Sequence, residues 1–133
     1  MNLRLDGSEA VEALFGFWPS FHDAEILRIE IDRNGPRVAA DLLAPVQPGS
    51  RRHVVVRLVF HEVEDLTLNG FNYQNVIWSL ALEVSSEERI KVTFEPTFGA
   101  GCSFSCARGE VLVTPTDLRT GAAGQPDASS SDS

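Results

Sequence analysis

The chain has 133 residues, 43% of them hydrophobic and 23% charged, with a formal net charge of −8. That length fits one domain, able to bury roughly 70% of its unfolded surface without disulfide or metal staples. Removing the −2 carried by residues 117–133 from the total of −8 leaves −6 on the rest; an acidic surface disfavours nucleic acid and anionic membranes and attracts basic proteins.

The opening MNLRLDGSEA has no apolar core of the signal-peptide kind, and no run approaches 18 apolar residues, so a cytoplasmic protein is expected. Cys102 and Cys106 fit that compartment. Four residues of extended chain span roughly 13 Å, beyond the roughly 7 Å a disulfide bridges. Both are therefore read as reduced, core-facing residues.

Ser8 to Gly16 predicts a helix of two turns. Ser8 stands as N-cap, Glu9 and Glu12 suit the positive end, and Gly16 stops it. Val11, Leu14 and Phe15 form one apolar stripe, and a helix so short has to dock on something larger. From Ala24 the period becomes two: Leu27, Ile29 and Ile31 alternate with Arg28, Glu30 and Asp32. Asn34-Gly35-Pro36 marks a turn into a return strand with Val38, Ala40 and Leu42 inward, completing a first hairpin. Ala44 to Arg52, with two prolines and a glycine, reads as a loop.

Val54, Val56, Leu58 and Phe60 define the next strand, and Val63 to Leu68 a short one ended by Asn69-Gly70. Phe71 to Asn75 has no clear period and reads as a turn or one helical turn. Val76, Trp78, Leu80, Leu82 and Val84 alternate cleanly, which assigns Trp78 to the core. After the polar Ser85 to Glu88 turn, Ile90, Val92 and Phe94 point inward, Pro96 to Gly101 forms a loop, and Cys102, Phe104 and Cys106 share a face. A break near Gly109 precedes Val111 and Val113, and the strand closes at Pro115. The Gly/Ala/Ser/Asp-rich residues 117–133 are expected to be a disordered tail beyond one domain of residues 1–116. Seven or eight strands with one short helix in front make a mostly β, antiparallel fold, whether curved sheet, open barrel or sandwich.

Candidate chemistry concentrates in two places. His22, Asp23 and Glu25 follow Trp18-Pro19; they would bond the backbone at the strand entry, grip a basic partner, or with His61 hold a metal. His61, Glu62, Glu64 and Asp65 form a second charged run, with the pattern of a solvated turn. No three ligands share a metal-site spacing, and no GxSxG, P-loop or GxGxxG occurs. Catalysis and cofactors therefore find little support, and Arg51-Arg52-His53 is too small a basic spot for nucleic acid.

The run Phe17-Trp18-Pro19-Ser20-Phe21-His22-Asp23-Ala24-Glu25-Ile26 resembles the opening motif of the immunity protein 50 family. The resemblance continues through Phe60-His61-Glu62-Val63, Leu66 to Gly70, Phe71 to Ile77 and Gly99 to Cys106, covering residues of about 14 to 115. It implies a small cytoplasmic protein of bacterial polymorphic toxin systems that binds and neutralises a cognate toxin without a cofactor. The expected contact residues are Trp18, His22, Asp23, Glu25, Glu62, Glu64 and Asp65, on the polar face and acidic edge of the sheet. The partner is a toxin protein, a basic one by charge complementarity, with no nucleic acid and no membrane involved; the oligomeric state is left open. Two other readings stand beside it: an adaptor β domain with a non-toxin partner, and a metal-dependent enzyme built on His22, Asp23, Glu25 and His61.

Overall fold

A computed structural model describes residues 5–46, 51–85 and 88–115. One helix, α1 (Ser8–Phe15), precedes eight strands: β1 (Glu25–Asp32), β2 (Arg37–Pro45), β3 (His53–His61), β4 (Glu64–Asn69), β5 (Val76–Val84), β6 (Ile90–Phe98), β7 (Gly101–Cys106) and β8 (Arg108–Pro115). They form a single unclosed antiparallel sheet in the order β4-β7-β6-β5-β1-β2-β3-β8. The expected tail and parts of the 44–52 loop and 85–88 turn lie outside the described residues.

The sheet folds over on itself, and the pairing shows how. His61 pairs with Arg108 at the end of the β3–β8 ladder, and Glu64 pairs with Ser105 at the start of β4–β7. Only Glu62-Val63 on one side and Ala107 on the other interrupt a two-stranded ribbon that bends from one half of the sheet to the other. Glu62 has φ 57° and Asp65 φ 58°, conformations that break strand alternation and turn the chain. At the other join, β1 touches β5 only through Glu25 and Val76, extended by backbone bonds such as Ile77 N–H to the Ala24 carbonyl at 2.8 Å. Folding buries one face of every half: Leu42, Val54, Val56, Leu58 and Phe60 share one cluster with Ile77, Leu80, Val92, Phe94 and Phe104. The Phe60 and Phe104 rings meet edge to face across the inside of the bend, centroids 5.2 Å apart.

Helix α1 lies on the β8 side. Asp6 donates its N–H to the Gly109 carbonyl and accepts from Val111 N–H, laying residues 5–6 beside β8 as a short parallel bridge. Val11 and Phe15 are buried as the stripe requires. The N-cap is Gly7, in left-handed geometry, and not Ser8, which is already helical. The Ser8 hydroxyl is buried without a hydrogen-bond partner. Gly16 ends the helix at φ 87° and donates its N–H to the Glu12 carbonyl.

Several expectations from the sequence fail, most of them at a local irregularity. A bulge between Ile26 and Arg28 puts Ile26 into the core and leaves Leu27 exposed, with Ile31 exposed at the sheet end. Paired shifts around Val76, Ile77 and Ser79 send Ile77 inward, so Trp78 is 57% exposed instead of buried. Strand β6 runs on through Pro96 to Phe98, reducing the expected loop to Gly99-Ala100, and the late break falls at Ala107 rather than Gly109. Gly109 instead lies where an added Cβ would stand 2.9 Å from Phe60 and Leu5 side-chain atoms. Residues 71–75 form an irregular loop without a helical turn.

Candidate functional site at the motif end of the sheet

The motif forms a corner. Phe21 and Asp23 both take left-handed backbone angles, φ 62° and 69°, uncommon for side chains that are not glycine. This double bend folds residues 17–24 back over the start of β5. Phe21 is buried, and its ring meets those of Phe15 and Trp18 edge to face at 6.0 and 5.5 Å. Trp18 is half-buried against the core. His22 stays outside: its Nδ1 lies 2.9 Å from the Trp78 carbonyl, its ring stands edge-on to Trp78 at 4.7 Å, and its Nε2 is 3.4 Å from Asp23. Between this corner and the end of β2 opens a cleft of about 230 Å³, lined by Phe15, Phe17, Phe21, His22, Pro45 and Val46 among others.

Beside the corner, residues 70–75 are held down by Asn75, which is 3% exposed. Its Oδ1 accepts from the N–H groups of Asn72 and Ala100, and its Nδ2 donates to the Asn72 carbonyl, all at 2.9 Å. Gly99, at φ +88°, makes room: a Cβ there would fall 2.5 Å from Asn75 Oδ1. The clamped loop presents Phe71 and Tyr73 to solvent, Tyr73 at 86% exposure and packed at 6.2 Å on Phe98. Phe17, Trp78 and Phe98 are exposed at the same end. A soluble chain scatters single apolar residues over its surface, whereas a gathered aromatic group marks a contact site.

The expected contact residues divide into two groups. Trp18, His22, Asp23 and Glu25 share the motif end. Glu62, Glu64 and Asp65 lie at the opposite end of β1, roughly 23 Å away along seven residues of strand. There the carboxylates have cationic neighbours: Glu62 is 3.3 Å from Arg108 and Glu64 is 3.8 Å from Arg89. Arg89 also donates to Ser105 Oγ and to the Glu62 carbonyl, fastening the bend. Farther in on the outer face, Arg57 bonds both Asp41 oxygens and Glu30, while Glu30 also meets Arg28. Bonding to Arg57 holds the Glu30 carboxyl below its usual range, and bonding to Glu30 and Asp41 raises the Arg57 guanidinium above its own. His61 pairs with Glu110 at 2.6 Å, at the end remote from His22, so the proposed metal set does not assemble. Among the described residues no three His, Cys, Asp or Glu converge as metal ligands. Cys102 and Cys106 are free and buried, and burial pushes both thiols up to about 11, which disfavours the reactive thiolate.

Sequence reasoning missed Asn75, Phe71, Tyr73 and Phe98 as site residues. Asn75 and Gly99 sit at loop ends, where an asparagine and a glycine are the signals of a non-repetitive turn. The exposure of Phe98 depends on the β6 register.

Fold and site together define a single-sheet β protein whose exposed aromatics gather at one end, around a strained corner. The chain belongs to the immunity protein 50 family, whose model matches residues 7–112, from the cap of α1 into β8. No curated protein and no solved structure matches it.

Proposed function

We propose that this chain is a non-enzymatic immunity protein that binds a cognate toxin domain in the cytoplasm and blocks it, without a cofactor. The observation that carries this reading is the aromatic end itself, where Phe17, Phe71, Tyr73, Trp78 and Phe98 stand exposed around the family's motif. Burying such side chains against a partner supplies affinity that a scattered polar surface does not. Trp18, His22, Asp23 and Glu25 form the polar and half-buried rim of that contact. Glu62, Glu64 and Asp65, at the remote end, add to an acidic field that speeds encounter with a basic toxin.

Co-expression with the toxin domain encoded beside the chain's gene tests the reading. Growth is rescued, and the two proteins co-purify in a stable complex, if it holds. Loss of growth together with no complex between the purified proteins overturns it.

A further inference from the structure

The outer face around Glu25 carries a specific chemistry. Glu25 pairs directly with Val76 on one side and Leu43 on the other, and Val76 pairs with Phe98. Directly opposed residues share a face, so the Glu25 carboxylate stands between Leu43 and Val76, with Phe98 and the Tyr73 packed on it one strand further on and the exposed Trp78 two residues along β5 from Val76. Glu25 is half-buried, and its side chain has no hydrogen-bond or ion-pair partner among the described residues. The neighbouring cation on the strand, Arg28, is taken by Glu30. Every other carboxylate placed in the expected contact set, apart from Asp65, has a cationic or imidazole neighbour.

A carboxylate flanked by aliphatic side chains, on a face that also exposes aromatics, is complementary to a cation that also tolerates apolar contact. Arginine meets both demands better than lysine, because its planar, weakly hydrated guanidinium bonds carboxylates in pairs and stacks on aromatic faces. A second copy of the chain fits poorly: a two-fold interface brings the patch against itself, gathering two copies each of Glu25 and Asp23 into one contact in a chain already at −8 with no cation of the patch to neutralise them. Resting on the proposed function, we infer that this face receives an arginine carried on an apolar loop of the toxin, its guanidinium bonded by Glu25 and flanked by Trp78.

The test measures the affinity of the purified chain for the toxin domain encoded beside its gene, with Glu25→Gln, Trp78→Ala and, as an exposed control far along β5, Glu83→Gln. Glu25→Gln and Trp78→Ala each weaken binding about 30-fold or more, chiefly by faster dissociation, as loss of a desolvated anchor does. Glu83→Gln stays within about 3-fold. A double-mutant cycle between Glu25→Gln and substitution of each surface arginine of the toxin identifies one coupled arginine. Circular dichroism and thermal melting verify folding; Glu25→Gln keeps the side chain's shape, so it decides the matter even if Trp78→Ala unfolds the corner. Wild-type binding with Glu25→Gln within about 3-fold of it overturns the inference and leaves the proposed function standing. Absence of wild-type binding overturns the proposed function instead. A dimer in light scattering that Trp78→Ala dissociates assigns the face to self-association and also overturns the inference.

Discussion

Asn75 is the residue on which the aromatic end depends. One buried amide closes the 70–75 loop with two hydrogen bonds to Asn72 and ties it to the turn between β6 and β7 with a third, from Ala100, and removing it strands the buried Ala100 N–H. Asn75→Ala is therefore expected to cost about 1–3 kcal/mol, read as a lower urea midpoint. Gly99→Ala is expected to be destabilising through the same clamp, since its Cβ would meet both Asn75 Oδ1 and the Gln74 carbonyl at 2.5 Å. At Cys102 and Cys106, burial and the raised thiol pKa of about 11 predict thiols silent to a disulfide reagent at pH 8 in the native protein. Both should react once urea unfolds it. In the sequence, the two cysteines were legible as core because alternation alone places them. Asn75 was not, because the partner that ties it to the rest of the fold, Ala100, lies 25 residues away.

At the scale of elements, α1 and the charged face of β1–β2–β3 make separate demands. A capping serine would cost about 1 kcal/mol to remove. Ser8, buried and unpartnered, is expected to show no loss or a small gain in stability on Ser8→Ala. Gly7→Ala should cost more than about 1 kcal/mol, because φ is +88° and its Cβ would stand 2.4 Å from the Val111 carbonyl oxygen. Thermal melting of the two variants separates the roles. On the outer face, bonding to Arg57 depresses the folded-state pKa of Glu30. A carboxyl depressed on folding adds stability above its unfolded pKa of about 4.3, and the contribution disappears as pH falls through the lower folded value. Glu30→Gln is thus expected to be less stable than wild type at pH 7, with the two curves converging in acid. Urea midpoints from pH 7 to 3 check this.

Across the whole molecule, one core joins both halves of the folded sheet. Phe60 is fully buried at the inside of the bend and touches Phe104 from the other half. Phe60→Ala is expected to cost about 3–5 kcal/mol, a large part of the stability of a domain this size. Because the halves share the cluster, unfolding should remain one transition with an unchanged urea slope and a lower midpoint. The fold also sets where function can lie. Strand β1 carries Glu25 at one end and Asp32 at the other, so the two carboxylate groups near it cannot grip one small site together. Among the described residues, the motif end combines a cleft, exposed aromatics and an unpaired carboxylate.

By itself, the amino-acid sequence determined a mostly β, antiparallel fold of seven or eight strands, the inward faces of β2, β3, β6 and β7, and the docked helix. Each follows from a repeat of two or of 3.6, which hydrophobic burial enforces locally. The tertiary structure decided the bulges at Leu27 and Trp78, the bend at Glu62 and Ala107, and the clamp at Asn75. These arise where strands distant in the chain must meet with mismatched lengths and angles, so a side chain's facing is chosen by its partner strand. Trp78 shows the consequence: alternation places it inside, and the β5–β6 register turns it out to the surface where binding is proposed.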